Sequence, residues 1–391
     1  MNVEKLVSDF LVALVQFERR FDPYFRDELD RLFQEPMVTL AQYLINRWRE
    51  DDHLQIAEEK TRPDEQEITA AIIAEMACFT REHYRSGHAQ RAGNTKTHGI
   101  VRGTFEVRPD LPDDLRVGIF RESRHYPVWV RFAGPGPLSP PDIKDSGILS
   151  IGVKLMDVPG DKLIDDEKFT QDFTGISSPT FTTPNIAENL KLQRWIGKGA
   201  PVLYFVGPSD PHFLDAIMQG LYAHTQRNPL EARYWSCVPY LFGEGRAIQY
   251  TIKPRSDEKS PFPKKWTENY LREAMAGTLS RREVTYDFLI QFQTDSFRMP
   301  IENASVVWPE RLSPFISVAT IRLPIQRFDS PGQLAFADNL SFNPWHAIPE
   351  HRPLGNQSRA RKAIYWELSK LRQAMNAAPR IEPTGEETFD S

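Results

Sequence analysis

The feature that most constrains this chain is a change of pattern near Gly99. Beyond it come GTFEV, YPVWVRFA, LSIGVKLMDV, AIQYTIKP, VTYDFLIQFQ and SVATIRLP. Each is short, rich in β-branched and aromatic residues, and bounded by Pro, Gly or Asp, which is the pattern of a strand. Long connections separate them, and many of the 31 prolines fall there. Rigid turn residues of this kind suit ordered loops rather than disorder. Helical periodicity returns at AENLKLQRWI, at HFLDAIMQGLYAH and finally from Ser358 to Asn376. The strands do not alternate regularly with helices, and no repeat of fixed period occurs. The order predicts an α+β fold, an antiparallel β-barrel with helices packed around it, rather than a βαβ array.

The chain before that change reads differently. LVSDFLVALVQF and EITAAIIAEMACF carry apolar residues at a spacing near 3.6, and the charged, proline-containing EEKTRPDEQE between them is a turn or linker. Three regions follow: a helical extension over 1–85, a barrel domain over 86–378, and a polar tail over 379–391 that is expected to be mobile. Asp9 and Glu18 interrupt the first apolar run, so it reads as neither a signal peptide nor a membrane span. It suits a helix packed on the main domain, or one in contact with a membrane surface. The net charge of -5 argues against nucleic acid as a partner, because phosphate binding wants a basic surface. The two cysteines, Cys78 and Cys237, lie far apart, which fits a reducing, cytoplasmic setting without a disulfide framework.

Local motifs exclude several chemistries. No GxGxxG, P-loop, HExxH or GxSxG occurs, so nucleotide-driven chemistry and ordinary hydrolysis lack support. Three stretches can carry chemistry. In RARKAIYWELSKLR, Arg361 and Arg372 share a helical face with Tyr365, at offsets of four and seven. A tyrosine serving as an anionic ligand near neutral pH must lose a proton of pKa near 10, at a cost of about 4 kcal/mol. A ferric ion offsets most of that cost, and a nearby guanidinium part of the rest. With 48 Lys and Arg in 391 residues, about 1.5 of the 12 tyrosines would meet that spacing by chance, so a solvated helix face fits the pattern as well. His98, in NTKTHGIVRGTFEV, is suited to moving a proton, and equally to a satisfied loop or core position. Arg131 lies inside the apolar strand PVWVRFAG and needs an anionic partner, either a bound carboxylate or one from the protein.

Taken in order, THGIVRGTFEV, VWVRFAG, DSGILSIGVKLMDV, DFTGISSPTF and RKAIYWELSKLR resemble the haem-binding core of the catalase superfamily, over roughly residues 95 to 372. HAIPEHRPLGNQSRARKAIY is similar to the small catalase-related haem peroxidase and allene oxide synthase branch. The resemblance implies a catalase-type barrel and haem b. It implies that Tyr365 ligates the iron, Arg361 stabilises the phenolate, and Arg131 and Arg372 hold haem propionates. His98 takes the place of the distal histidine.

Three positions depart from that family's pattern. Ile176 replaces the asparagine that polarises the peroxide, with Ser177 and Ser178 beside it as partial substitutes. Ala133 replaces a serine that orients the distal histidine. Thr95 replaces a third propionate-binding arginine, with Lys96 adjacent. An apolar Ile176 suits a bulky peroxide better than hydrogen peroxide. The implied function is therefore a haem peroxidase or hydroperoxidase that cleaves the O–O bond of organic or fatty-acid hydroperoxides with a separate reductant, as a monomer or a homo-oligomer. Hydrogen peroxide dismutation and hydroperoxide rearrangement or lyase chemistry are the alternatives within the family. A non-catalytic haem carrier or sensor is the alternative outside enzymology.

Overall fold

The computed structural model describes residues 3–389 except 52, 146 and 209. Three helices come first: α1 (Val3–Arg19), α2 (Asp22–Trp48) and α3 (Glu65–His83). Then follow β1 (Thr97–Val107), β2 (His125–Ala133), β3 (Ser150–Leu155) and β4 (Gln171–Ile176). Helices α4 (Ile186–Gly197), α5 (Val202–Val206) and α6 (Phe213–Tyr222) lead to β5 (Tyr234–Trp235), β6 (Tyr240–Leu241) and β7 (Ala247–Pro254). The chain ends with α7 (Tyr270–Leu279), β8 (Val284–Phe292), β9 (Ile316–Leu323), α8 (Pro331–Asn339) and α9 (Asn356–Asn376).

The strands form a closed antiparallel barrel. The first four pair in sequence order, β4 meets β5, β5 meets β7, and β7, β8 and β9 return to β1. Eight strands thus close the ring, and the two-residue β6 is an addition on β7. Closure leaves no long unpaired edge. Side-chain alternation then sorts the residues into an inner and an outer face. One inner row is Val101–Val130–Val153–Phe173, all within the main hydrophobic cluster. Phe288 meets Phe105, Phe173 and Tyr250 at ring-centroid distances of 5.2, 4.9 and 5.0 Å. Each ring so buried contributes about 1.5–3 kcal/mol.

The next row, Ile100–Arg131–Gly152–Thr174, faces outward, and the helices and long connections cover it. Another outward row carries Trp129, Lys154 and Asp172. Lys154 is fully buried there, with its ammonium 2.7 Å from Asp172 Oδ1 and bonded to Glu167. His346 Nδ1 meets the same Asp172 at 2.7 Å, which pins the connection before α9 to the barrel wall.

All six strand segments read from the sequence are strands of the barrel. Strand β4, QDFTGI, went unread because its outward positions are polar and it ends near Gly175. Helix α8 begins Pro331–Gly332 and so resembles a turn. The polar tail makes contacts with the barrel domain as far as Phe389. Glu382 accepts from the amides of Lys168 and Phe169 at 2.7 and 2.6 Å, Glu387 accepts from Trp129 Nε1 at 2.8 Å, and Phe389 packs edge-on against Trp129.

The buried Lys154 gives a direct test. Lys154→Met leaves the carboxylates of Glu167 and Asp172 without their ammonium in a dry site. Breaking such a group from one side costs about 3–5 kcal/mol, so the midpoint of denaturant unfolding should fall by that equivalent.

Candidate functional site

Helix α9 starts where it does for a backbone reason. Gly355 has φ +86°, and a Cβ there would lie 2.4 Å from the Ile301 carbonyl oxygen. Only glycine fits. One turn later Arg359 ties the helix to three acids, Glu59, Glu65 and Glu302, at 2.7–2.9 Å. The register of α9 on the barrel is therefore fixed before Arg361 and Tyr365 are reached.

Arg361 is buried and reaches two ways. One Nη2 donates to Thr174 Oγ1 at 2.7 Å and to the Tyr365 hydroxyl at 3.1 Å. Burial opposes its charge, but Tyr365, Tyr240 and Tyr250 around it more than compensate and hold its pKa above the ordinary value. The guanidinium stays charged and directs a donor at the phenol oxygen.

Thr174 lies in the same cross-strand row as Arg131, two strands away across Gly152. At strand spacing that is roughly 10 Å. Arg131 donates to Thr97 Oγ1 and to the Thr95 carbonyl at 2.7 and 3.0 Å. Burial drives its pKa well below the ordinary value, and Arg91 and Arg372 nearby push it the same way. Arg372 is buried, donates to the Asn339 carbonyl at 2.9 Å, and keeps Nε without a partner. Arg91 donates to the Ala337 carbonyl at 2.8 Å and is pushed down to about 10 by burial. Three guanidiniums thus gather where one carboxylate, Asp338, acts on all of them, and Asp338 is itself exposed. The cluster is short of about two negative charges.

Arg91 was not selected from the sequence. Thr95 stands where the family pattern has an arginine, and Lys96 seemed the nearest replacement. In the structure Lys96 is committed elsewhere: its ammonium meets Asp142 Oδ1 and the Pro140 and Glu268 carbonyls, each at 2.7 Å. The guanidinium that does join Arg131 and Arg372 is that of Arg91, four residues upstream of Thr95, and Thr95 Oγ1 holds that turn by donating to the Arg91 carbonyl at 2.7 Å.

His98 sits at a β-bulge. Thr97 pairs with Ala133 and Gly99 with Phe132, leaving His98 as the extra residue. A bulge re-aims a side chain. Its ring is buried, with Nε2 unpartnered and Nδ1 3.6 Å from Asp142 Oδ1, near an ion-pair contact but longer than a hydrogen bond. Burial lowers its pKa well below 6.5, and Lys96, Arg131 and Arg272 act in the same direction. The imidazole is neutral and keeps a nitrogen free to accept a proton. Asp142 is the carboxylate beside the His98 ring, and the sequence does not single it out because PPDIKD looks like a solvated turn. His98 lines a cavity of about 10 Å³ with Asp142, Ile148, Leu149, His224 and Arg19 of the α1–α2 elbow, room for about one water.

The remaining two residues lie at the rim. Thr97, Ala133, Ser150, Ile176 and Trp235 form the end row of the sheet. Ile176 is half-buried there. Ser177 accepts from the Leu149 amide through Oγ at 2.8 Å while its own amide donates to the Leu149 carbonyl, so its hydroxyl serves the local backbone. The adjacent Ser178 is fully buried with its hydroxyl unpartnered. The structure therefore places Arg131, Arg372 and Arg91 together, pairs Arg361 with Tyr365, and sets His98 apart in its own cavity, which neither Ile176 nor Tyr365 lines.

No protein-family model matches the chain, and no curated protein matches it. Solved structures do. Catalase A from Saccharomyces cerevisiae aligns with a TM-score of 0.58 and 13% identity, over 88% of this chain and 72% of that one. A fungal catalase aligns at 0.56 and 12%, over 88% and 70%. A bacterial catalase aligns at 0.52 and 14%, over 90% and 75%. The chain has the catalase fold.

The electrostatics of the site are testable without any ligand. In an NMR titration the His98 imidazole should remain neutral through the range around 6.5 where a free histidine takes up its proton. His212, raised chiefly by its hydrogen bond to Glu188, should still be protonated there. A His98 that titrates normally would show that the ring is not held in the dry cationic pocket described.

Proposed function

We propose that this protein is a haem-dependent peroxidase-type oxidoreductase that cleaves the O–O bond of peroxides. The observation that carries the reading is the cluster of Arg91, Arg131 and Arg372, short of two negative charges and continuous through α9 with the Arg361–Tyr365 pair. A flat dianionic acid bearing a metal that accepts a phenolate answers both demands, and haem has that chemistry. The donor set fits: the unpartnered Nε atoms of Arg361 and Arg372 and Nε2 of His98 are buried polar groups that need a partner. Bound there, ferric haem would supply the Lewis acid and the electrons for O–O cleavage.

The chain's own residues have separable tasks. Tyr365 offers its oxygen as the metal ligand. Arg361 donates to that oxygen and stabilises its deprotonated form. Arg91, Arg131 and Arg372 would hold the two carboxylates of the bound group. His98, kept neutral, accepts the proton from the peroxide hydroxyl and returns it to the leaving oxygen. Asp142 faces the opposite ring nitrogen and favours the tautomer that leaves Nε2 free.

The substrate class follows from what surrounds His98. Ile148 and Leu149 line its cavity, and Ile176 stands in the end row instead of a polar residue. These favour an organic or fatty-acid hydroperoxide with a separate reductant, as in the small peroxidase and allene oxide synthase-like branch. The size of the cavity favours hydrogen peroxide as the second reading. Turnover of cumene hydroperoxide against hydrogen peroxide decides between them; oxygen evolution at catalase rates would remove the first.

Protein purified from haem-supplemented cells should show a Soret band that is lost in Tyr365→Phe. Arg91→Ala should speed haem transfer to an apo-globin acceptor about tenfold to a hundredfold, the loss of one charge-assisted hydrogen bond. His98→Ala should keep the Soret band and slow the reaction with peroxide about 10²- to 10⁴-fold. A wild-type protein that retains haem but shows no change on His98→Ala would be a carrier and not an enzyme.

A further inference from the structure

Helices α1 and α2 expose apolar side chains on their outer face. Val38, Ala41 and Ile45 near the end of α2 pack on Met218 and Val306, but most of the remaining tethers to the body of the protein are polar. Gln16 donates to the Lys144 carbonyl at 3.0 Å, and Asp22 accepts from the Thr225 amide at 2.7 Å. Arg26 and Gln34 donate to the Leu221 carbonyl, and Gln42 both donates to Ser305 and accepts from Val307. The outward face is apolar. Of the 27 large hydrophobic side chains exposed among the described residues, 17 fall within the first 48 positions. A surface helix ordinarily shows the reverse arrangement.

The apolar face has a regular spacing. Along α1, Val3, Val7, Phe10, Leu14 and Phe17 follow one another at steps of four, three, four and three, and each is 42–73% exposed. That alternation is the seam of a two-stranded coiled coil. Leu29, Phe33, Met37 and Leu40 continue an exposed apolar stripe along α2. The seven aromatic residues of the two helices and Phe21 between them, 39–84% exposed, together leave roughly 1,000 Å² in water at about 200 Å² per ring. Soluble monomers rarely show a patch above a few hundred Å². A stable pair of proteins covers about 800 Å² on each partner.

We infer that this face docks on the same face of a second copy of the chain, about a two-fold axis. Charge separates this partner from a lipid surface. Residues 3–48 hold eight acidic and six basic side chains, whereas helices that lie on membranes carry an excess of Lys and Arg toward anionic headgroups. A heptad seam is complementary to its own copy, and the mixed charges beside it allow opposite signs to meet. The polar tethers hold the face rigid, so little conformational freedom is lost on pairing. The inference stands apart from the reading of the haem site, because no residue of the seam belongs to it.

Sedimentation velocity of the full chain at micromolar concentration tests this. The wild type should sediment with twice the chain mass. The triple variant Phe10→Glu, Leu14→Glu, Phe17→Glu should sediment with one chain mass and an unchanged near-UV circular dichroism spectrum. Should the triple change alter that spectrum, Phe10→Glu alone should still weaken dimerisation at least tenfold. A wild type that stays at one chain mass, or variants that keep the dimer, would overturn the inference. So would a wild-type monomer that floats with phosphatidylcholine vesicles, since the face would then be a lipid-binding surface.

Discussion

The site depends on one guanidinium that reaches in two directions. Arg361 bonds Thr174 on the barrel and Tyr365 on its own helix through the same nitrogen. The first bond fixes where α9 sits on the sheet, and the second fixes where the phenol oxygen points. A lysine would carry the charge but lacks the planar fork that makes such two-way contacts rigid. The anchoring of α9 by Gly355 and Arg359 brings that fork to the right height. Each contact depends on the preceding one along the helix.

The outward face of the barrel is an unusual place for so much charge. Arg131, Lys154 and Asp172 all project from it and are covered by helices and connections. The two groups solve their burial differently. Lys154 is matched by carboxylates from its own chain. Arg131 has a hydroxyl, a carbonyl and two other guanidiniums for company. One buried cation is thus neutralised at contact distance, while the guanidinium cluster has only the exposed Asp338 acting on it.

Much of the barrel was legible because strand alternation and punctuation survive without tertiary context, as in GTFEV and VTYDFLIQFQ. The Arg361–Tyr365 pair was legible because helical offset alone puts the two on one face. Arg91 and Asp142 were not, because their roles arise from loops that return to the site from a distance. His98 was found only through its surrounding pattern; the bulge that turns its ring is a matter of register with β2, which no local window encodes. The contacts of the tail were not legible, because polar residues such as Glu382 and Glu387 read as solvated in sequence, whereas they accept from backbone amides and an indole. The inverted amphipathicity of α1 was likewise invisible, since periodicity shows that a helix has an apolar side but not which way that side faces.

The seam between β1 and β9 has a consequence for how the molecule is made. β1 must wait for a partner that leaves the ribosome roughly two hundred residues later. Until then one margin of the growing sheet offers open amides and carbonyls to any passing strand. A ring fastened by its most distant segments forms slowly, so the nascent polypeptide faces its greatest hazard of aggregation midway through translation, when four neighbouring strands exist and nothing yet closes them.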